Sequence, residues 1–190
     1  MKIALFPGSF NPVHRGHVEL ANSVLNQKLA DEVWMIVSPQ NPLKNSELVD
    51  EKHRKAMLEL ALDKHSGIKA SDVEFSLPIP SYSINTLEYL ESQYPEHHFM
   101  LLIGSDNAMI FNQWKDYKEI LQRFPVYVYP RRGFQVADAL AQYPQMQALQ
   151  TPFFDISSSS IREMIAANED TSAWLHPVVM KYISQNGLYR

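Results

Sequence analysis

Short apolar runs alternate along the chain with longer segments in which apolar residues recur every three or four positions. The short runs are typical of buried strands and predict strands at KIALF (2–6), EVWMIV (32–37), GIKASDVEF (67–75), HHFMLLIG (97–104), VYVY (126–129) and FFDI (153–156). The segments with helical spacing predict helices, most clearly at 17–29, 51–63 and 84–94.

Strands separated by helices of about a dozen residues predict parallel crossovers, and near-continuous apolar strands indicate a sheet buried on both faces. We therefore expect an α/β fold: a Rossmann-like, doubly wound, mainly parallel sheet of five to six strands with helices on both faces. One domain should span 1–190, its part after about residue 155 mostly helical. In such sheets a ligand binds at the carboxyl ends of the strands, where the strand order reverses.

Composition narrows the class of protein. The chain has 190 residues, 45% hydrophobic and 20% charged, with a formal net charge of −4, which argues against a protein that binds a nucleic-acid backbone. It contains no cysteine, which excludes disulfides and thiolate metal sites. No window approaches the ~18 apolar residues of a membrane span. We expect a soluble, cytoplasmic protein with neither nucleic acid nor membrane as a partner.

The segment FPGSFNPVHRGHVELA (6–21) is predicted to run from a strand through a loop into a helix. Gly8 and Ser9 follow the strand, where a glycine lets the backbone turn sharply and approach a ligand closely. A helix start near His17 presents unpaired N–H groups that favour phosphate. His14 and His17 are three residues apart, so a helical turn would place both on one side. The segment therefore suits a phosphate-binding loop.

Two other interpretations of this segment stay open. The His-x-x-His spacing could ligate zinc, although the chain has no cysteine and no acidic third ligand stands nearby. The segment could also be a Pro/Gly turn with two surface histidines. It matches neither G-x-x-x-x-G-K-[ST] nor G-x-G-x-x-G, so the two best-known phosphate-loop motifs are excluded.

A second informative stretch is DISSSSIREMI (155–165). Ser160 and Glu163 stand in the S-x-x-E relation of a capping box, which predicts a helix that starts near Ser160. Arg162 would then lie in the first turn, beside free N–H groups, and its guanidinium could bind phosphate oxygens. The alternative is a capped surface helix with a solvated arginine.

These two stretches carry a resemblance to a known family. GSFNPVHRGH resembles the signature of the nucleotidyltransferase superfamily, Gly-(Ser/Thr)-Phe-(Asp/Asn)-Pro followed by (His/Thr)-x-Gly-His, except that Pro7 stands where a further glycine is usual. ISSSSIR resembles the family's Ile-Ser-(Ser/Thr)-(Ser/Thr)-x-Ile-Arg motif, which by this resemblance holds the triphosphate of ATP.

Further segments are similar to those of bacterial nicotinate-nucleotide adenylyltransferases: SPQNPLKNS, PSYSINTLEYL, LLIGSDNAMIFNQWKDY and YPRRGF. The resemblance implies that ATP is bound by Gly8, Ser9, Phe10, His14, His17, Gly104, Asp106, Ser158, Ser159 and Arg162. It implies that nicotinate mononucleotide is bound by Ser9, Phe10, Lys44, Tyr82, Thr86, Trp114 and Arg132. The residues implied in catalysis are His14, His17, Lys44 and Arg162.

The implied reaction is attack by the phosphate of nicotinate mononucleotide on the α-phosphorus of ATP, which gives deamido-NAD and pyrophosphate. Mg²⁺ is the implied cofactor, held by phosphates and water without a dedicated protein ligand. Nicotinamide mononucleotide or phosphopantetheine as the acceptor, and a non-catalytic nucleotide-binding module, are the alternatives. A homo-oligomer is compatible with the sequence.

Overall fold

The computed structural model describes residues 1–40 and 48–190. Its strands form one sheet with the order β3-β2-β1-β4-β5-β6, and every neighbouring pair is parallel. The strands are β1 (Lys2–Gly8), β2 (Glu32–Val37), β3 (Ile68–Ser71), β4 (His98–Gly104), β5 (Val126–Tyr129) and β6 (Gln147–Ala148). The predicted doubly wound parallel sheet is confirmed.

Helices cover both faces of the sheet. They are α1 (Arg15–Asn26), α2 (Glu51–Leu62), α3 (Ser83–Gln93), α4 (Ser105–Met109), α5 (Tyr117–Arg123), α6 (Val136–Gln142), α7 (Ser158–Ala166) and α8 (Pro177–Gln185). Short 3₁₀ turns lie at Val73–Ser76 and Phe111–Gln113. Within residues 1–40 and 48–190, no helix combines the length and apolar character that a membrane crossing needs.

The central strand β1 divides the apolar core into two clusters. Ala4 and Phe6 face the cluster built with α1, α2, α7 and α8, whereas Ile3 and Leu5 face the cluster built with α3 to α6. This alternation is the side-chain period of a strand, and both sides are apolar because helices cover both faces.

Two of the strand predictions need correction. The sixth strand was expected at 153–156, but this segment has no regular secondary structure, and Phe153 is half exposed. The sixth strand is instead β6, two exposed residues at the edge of the sheet, which carry no apolar run. The third strand was expected over 67–75 but ends at Ser71, and a 3₁₀ turn follows.

Pro7 marks the point where the sheet opens. β1 pairs with β2 as far as Gly8 but with β4 only as far as Leu5. The Gly8 carbonyl accepts from the Ser38 N–H on the β2 side at 3.0 Å, so the nitrogen of the preceding residue faces β4. Proline has no N–H to donate, and here no ladder bond to β4 remains to be made. β1 and β4 therefore separate at the switch in strand order.

Candidate active site

A continuous cleft lies at the carboxyl ends of β1, β4 and β5. It consists of two adjoining cavities that share four lining residues, Pro7, Gly8, Asn107 and Tyr129. We call the cavity of about 450 Å³ beside the β1–α1 loop and the start of α7 the polar compartment. The cavity of about 260 Å³ beside Tyr82 and Trp114 is the aromatic compartment. The position is the one that the fold predicts for a ligand.

The loop after β1 forms one wall of the polar compartment. Phe10 has a positive φ of 45°, and its ring meets the ring of Phe6 edge-on at 5.7 Å between centroids. A Cβ at Gly8 would lie 2.8 Å from Phe10 Cζ, so only glycine fits beneath this ring. Ser9 Oγ is buried in the same wall and has no hydrogen-bond partner among the described residues, which leaves it available to a ligand.

His14 and His17 stand together at the start of α1. Their rings stack with centroids 3.6 Å apart. The sequence predicts both on one side of a helical turn, but His14 is the extended capping residue before α1 and His17 is the third residue of the helix. The main-chain N–H of His14 donates to His17 Nδ1 at 3.2 Å. Because Nδ1 accepts this hydrogen bond, a neutral His17 carries its proton on Nε2. Both histidines line the polar compartment.

His14 is neutral at ordinary pH. Burial, and to a lesser extent the positive charge of Arg131, lowers the pKa of His14 from 6.5 to about 3. The residue is 4% exposed, and its Nε2 has no hydrogen-bond partner in the described part of the chain. A neutral imidazole can donate one N–H to a phosphate oxygen without adding a buried charge.

The helix α7 forms the opposite wall, and it begins earlier than the sequence predicts. Ser157 is the capping residue, because its Oγ accepts from the Ser160 N–H at 3.0 Å. The predicted start near Ser160 was wrong, since Ser160 is already the third helical residue. Its hydroxyl pairs with Ser157 Oγ at 2.8 Å. Arg162 therefore lies in the second turn, not the first.

Hydrogen bonds join this helix to the β1–α1 loop. Arg162 donates to the carbonyl of Asn11 at 2.8 Å and to Ser159 Oγ at 3.2 Å. Ser158 Oγ donates to the carbonyl of Pro12 at 2.9 Å. The two segments that the sequence predicts to bind phosphate, some 140 residues apart, thus face one cavity and brace each other.

Two segments that follow α7 in the chain form hydrogen bonds with the β1–α1 loop and with the first residue of α1. The Tyr189 hydroxyl donates to Asn11 Oδ1 at 2.8 Å, and the Arg15 N–H donates to the Trp174 carbonyl at 2.8 Å. Burial raises the pKa of Tyr189, so the hydroxyl keeps the proton that it donates. The position of the loop consequently depends on segments from both ends of the sequence.

Comparison with known proteins identifies the family of this chain. The family model described as cytidylyltransferase-like matches residues 5–164. A protein of Flavobacterium johnsoniae, named "Probable nicotinate-nucleotide adenylyltransferase", is 40% identical over 192 residues that cover all of both chains. One of Bacteroides fragilis with the same name is 43% identical and covers 97% of this chain and 92% of its own. The chain belongs to the nicotinate-nucleotide adenylyltransferase family.

A solved structure shows the same fold. The Plasmodium falciparum nicotinic acid mononucleotide adenylyltransferase, complexed with NaAD, superposes with a TM-score of 0.86 at 20% identity and covers 99% of this chain and 97% of its own.

Gly104 and Asp106 stand where β4 passes into α4. Asp106 lines the polar compartment, and its Oδ2 lies 3.8 Å from Arg131 Nε. A Cβ at Gly104 would collide with Asp106 Oδ1 and lie 2.7 Å from Arg131 Cγ. Glycine at this position therefore makes the room in which the carboxylate and the guanidinium sit side by side.

The two neighbouring arginines after β5 face different surroundings. Arg131 lines the polar compartment. The Arg132 side chain is 84% exposed and faces Asp155 at 3.3 Å, outside the residues that line either compartment. The family resemblance pointed to Arg132, and Arg131 was missed. A single antiparallel bridge between Arg131 and Phe134 shapes this turn, and the sequence of two adjacent arginines does not predict that bridge.

The aromatic compartment contains Tyr82 and Trp114, two residues for which the resemblance implies binding of nicotinate mononucleotide. Trp114 packs against Phe111 with ring centroids 5.0 Å apart, and its Nε1 is buried without a hydrogen-bond partner in the described ranges. Thr86 lies behind the wall, where its Oγ1 donates to Glu74 Oε1 at 2.8 Å. Glu74 lines the compartment and was missed by the sequence analysis. Burial raises the pKa of Glu74, although the nearby hydroxyls of Thr86, Ser38 and Ser81 oppose this shift.

Arg54, a buried arginine that the sequence analysis also missed, supports the β1–α1 loop through hydrogen bonds. Arg54 on α2 is 1% exposed. Its guanidinium donates to main-chain carbonyls of three segments: Ser9 at 2.7 Å, Ser38 at 2.8 Å, Pro39 at 3.3 Å and Val49 at 2.8 Å. A sequence pattern shows only an arginine in a helix and gives no sign of these partners.

One predicted site residue, Lys44, lies outside the described residues, which omit 41–47. Its assignment as a phosphate ligand stays a prediction. In the ranges that the structure describes, no three His, Cys, Asp or Glu residues stand close enough together to hold a metal ion.

Proposed function

We propose that this protein transfers the AMP part of ATP to the phosphate of nicotinate mononucleotide, which yields deamido-NAD and pyrophosphate in NAD biosynthesis. The observation that carries the proposal is the continuous cleft. Its polar compartment brings together two histidines and Arg162, and its aromatic compartment offers Tyr82 and Trp114. A pyridine nucleotide and a nucleoside triphosphate can meet where the compartments share Pro7 and Gly8.

We assign the polar compartment to ATP. His14 and His17 would donate to the phosphates around the reacting phosphorus, and Ser159 and Arg162 would hold the β- and γ-phosphates. The N-terminal end of α7, which includes the main chain of Ser158, adds free N–H groups that favour anions. The Ser158 hydroxyl itself is engaged by the Pro12 carbonyl. Arg131 is closer to this compartment than Arg132, so we assign the phosphate contact to Arg131 in place of Arg132.

We assign the aromatic compartment to the pyridine ring. Trp114 would stack on the ring, and Tyr82 would contact it from the start of α3. Because the Thr86 hydroxyl is engaged by Glu74, Thr86 would act through its place in α3 rather than by donating that hydroxyl. The backbone of Ser9 and Phe10 would hold the phosphate of the same substrate, which then points into the polar compartment.

The chemistry requires positioning more than proton transfer. A phosphomonoester has a second pKa near ~6, so the attacking phosphate is already largely ionised at pH 7. Its oxygen forms the new bond to the α-phosphorus, and pyrophosphate leaves with the electrons of the bond that breaks. No base is needed, which agrees with a His14 whose pKa is about 3. The histidines and arginines stabilise the charge that builds up on the phosphate oxygens.

Mg²⁺ fits this cleft as an ion held mainly by phosphates and water. Asp106 is an acidic side chain in the lining of the polar compartment, and its Oδ1 is buried without a hydrogen-bond partner among the described residues. It would hold the ion, directly or through water, next to the triphosphate. When bound, Mg²⁺ neutralises charge on the phosphates.

Cytoplasmic location and a homo-oligomeric state stay predictions of the sequence.

One assay tests the proposal. The purified protein receives ATP and Mg²⁺ with nicotinate mononucleotide, nicotinamide mononucleotide or phosphopantetheine in parallel, and pyrophosphate is measured. We expect the highest kcat/KM with nicotinate mononucleotide. His17→Ala should lower kcat by about 10²- to 10³-fold, the cost of one donor to a developing charge. The matched variant His98→Ala, at an exposed position of β4, should keep wild-type turnover. Pyrophosphate release with phosphopantetheine alone would contradict the proposal.

A further inference from the structure

We propose that the side-chain ammonium of Lys115 selects a substrate whose pyridine ring carries a carboxylate over one that carries a carboxamide. The inference rests on the proposed function, because it assumes that the aromatic compartment holds the pyridine ring. It adds to that function a residue that determines specificity.

The position of Lys115 is the first argument. It directly follows Trp114, and both residues line the aromatic compartment. Its Nζ lies 5.3 Å from the centre of the Tyr82 ring and donates to Asn85 Oδ1 at 3.1 Å. The ammonium is thus held against the compartment wall, between an aromatic ring and the first turn of α3. A substituent on a ring stacked against Trp114 would lie within reach of the next residue.

The charge of Lys115 is not neutralised by a protein carboxylate. In the part of the chain that the structure describes, none of the ion pairs involves Lys115. Its hydrogen-bond acceptor, the Asn85 amide, carries no charge. The Lys115 ammonium therefore forms no ion pair with a carboxylate of the described residues and can pair with a ligand carboxylate.

The start of α3 makes the same end of the compartment positive. Ser83, its first residue, lines the compartment, and the first turn contains no acidic side chain. Tyr82, the residue before the helix, provides no side-chain cap. The unpaired N–H groups and the helix dipole consequently reinforce Lys115 in attracting an anion.

Among the described residues that line this compartment, Glu74 is the one with a carboxyl group, whose charge when ionised is opposite to that of Lys115. Its Oε1 accepts from the Thr86 hydroxyl at 2.8 Å, and the residue is 2% exposed. Burial raises the pKa of Glu74, which favours its neutral form and weakens its repulsion of a ligand anion. The balance of charge in the compartment therefore favours a carboxylate.

A positively charged side chain is the kind of group that can discriminate a carboxylate from a carboxamide. A carboxylate and a carboxamide have nearly the same shape, so a close fit alone discriminates poorly between them. They differ by one unit of charge. A hydrogen bond to a charged group is worth about ten- to one-hundredfold in affinity, so one ammonium can supply a useful preference.

The experiment compares Lys115→Gln with the matched control Lys118→Gln. Lys118 lies three residues further on, its Nζ is 6.0 Å from the Tyr117 ring, and it does not line the compartment. For each protein, kcat/KM is measured with nicotinate mononucleotide and with nicotinamide mononucleotide at saturating ATP. We expect Lys115→Gln to lower the acid-to-amide ratio of kcat/KM by about ten- to one-hundredfold, mainly through the KM for the acid. Lys118→Gln should keep the wild-type ratio.

Two further results make the test decisive. Lys115→Arg should restore most of the ratio, because it keeps the charge, and the KM for ATP should be the same in all variants. The inference is overturned if Lys115→Gln lowers both substrates equally or leaves the ratio unchanged. A wild-type protein that turns over the acid and the amide equally well also overturns it, but leaves the transferase chemistry intact. A wild-type protein inactive with both pyridine nucleotides would instead contradict the proposed function.

Discussion

Arg162 donates a hydrogen bond of 2.8 Å to the carbonyl of Asn11, a residue 151 positions earlier in the chain. This contact spans the polar compartment from α7 to the β1–α1 loop. It sets the distance between the two walls, and it places a guanidinium between them. Arg162 therefore combines a structural contact with a positive charge for the triphosphate.

Replacement of Arg162 should separate these two contributions. Arg162→Gln removes the charge and the paired donors, so we expect kcat/KM for ATP to fall by about 10²- to 10³-fold. Arg162→Lys keeps the charge but loses the fork geometry, and it should recover only part of the loss. Steady-state kinetics with ATP as the varied substrate measures both. Lys181→Gln, at an exposed position of α8, is the control; an equally inactive control would mean that the loss is not specific to the cleft.

The neighbours Arg131 and Arg132 offer a comparison within one turn. Because Arg131 lines the polar compartment and Arg132 faces solvent, Arg131→Gln should lower kcat/KM for ATP by about tenfold or more. Arg132→Gln should change it by less than about twofold, since an exposed ion pair contributes little. The same kinetic assay decides between them. A larger loss in Arg132→Gln than in Arg131→Gln would contradict the assignment of the ATP contact to Arg131.

The pKa of His14 predicts how stability depends on pH. Folding lowers this pKa from 6.5 to about 3, so between these values the unfolded chain binds a proton that the folded chain does not. The contribution of His14 to stability is therefore complete above pH 6.5 and is lost as the pH falls toward 3. The slope for one proton is at most about 1.4 kcal/mol per pH unit.

Urea unfolding of the wild type and of His14→Gln at several pH values between 7 and 4 checks this prediction. We expect the free energy of unfolding to decline less steeply with acidification in His14→Gln, because glutamine has no proton to bind. His98→Gln, at an exposed position, should keep the wild-type slope. Identical slopes in the wild type and His14→Gln would show that the acid sensitivity arises from other groups.

Arg54 should matter for stability more than any exposed arginine. Arg54→Met leaves four carbonyls without their donor, one of them in a buried hydrogen bond and three in partly buried ones, and each unsatisfied buried group costs about 1–3 kcal/mol. Some of these carbonyls will be reached by water, so we expect a total loss of about 3–5 kcal/mol in the free energy of unfolding. Lys52→Met, exposed on the same helix, should change it by less than about 0.5 kcal/mol. A loss in Arg54→Met no larger than this would contradict the supporting role.

Patterns that depend on neighbours in sequence were predicted well. The apolar runs of β1, β2, β4 and β5 identified the buried strands, because residues buried on both faces must all be apolar. The spacing of His14 and His17 placed their rings together, although the relationship is that of a helix-capping residue with the third residue of the helix. The family resemblance supplied Tyr82 and Trp114, which the structure brings into one compartment.

Features that depend on distant partners were missed or misplaced. β6 has two exposed residues and exists only because β5 lies beside it, whereas Phe153 follows an apolar pattern yet is half exposed. Arg54 and Glu74 are ionisable residues that a sequence pattern assigns to the surface, but both are buried: carbonyls from other segments accept from Arg54, and the Thr86 hydroxyl donates to one carboxyl oxygen of Glu74. The role of a buried ionisable side chain can be inferred only once its hydrogen-bond partners are known.

The contacts of Asn11 with Arg162 and Tyr189 can form only after most of the chain has been synthesised. The ribosome adds about 5–20 residues per second, so the phosphate loop waits roughly 10 to 35 seconds before these partners are synthesised. A nascent chain that already contains both histidines still lacks one wall of the polar compartment. A product truncated before residue 162 would therefore carry the family's signature but lack the Arg162 contact that joins the two walls of the polar compartment.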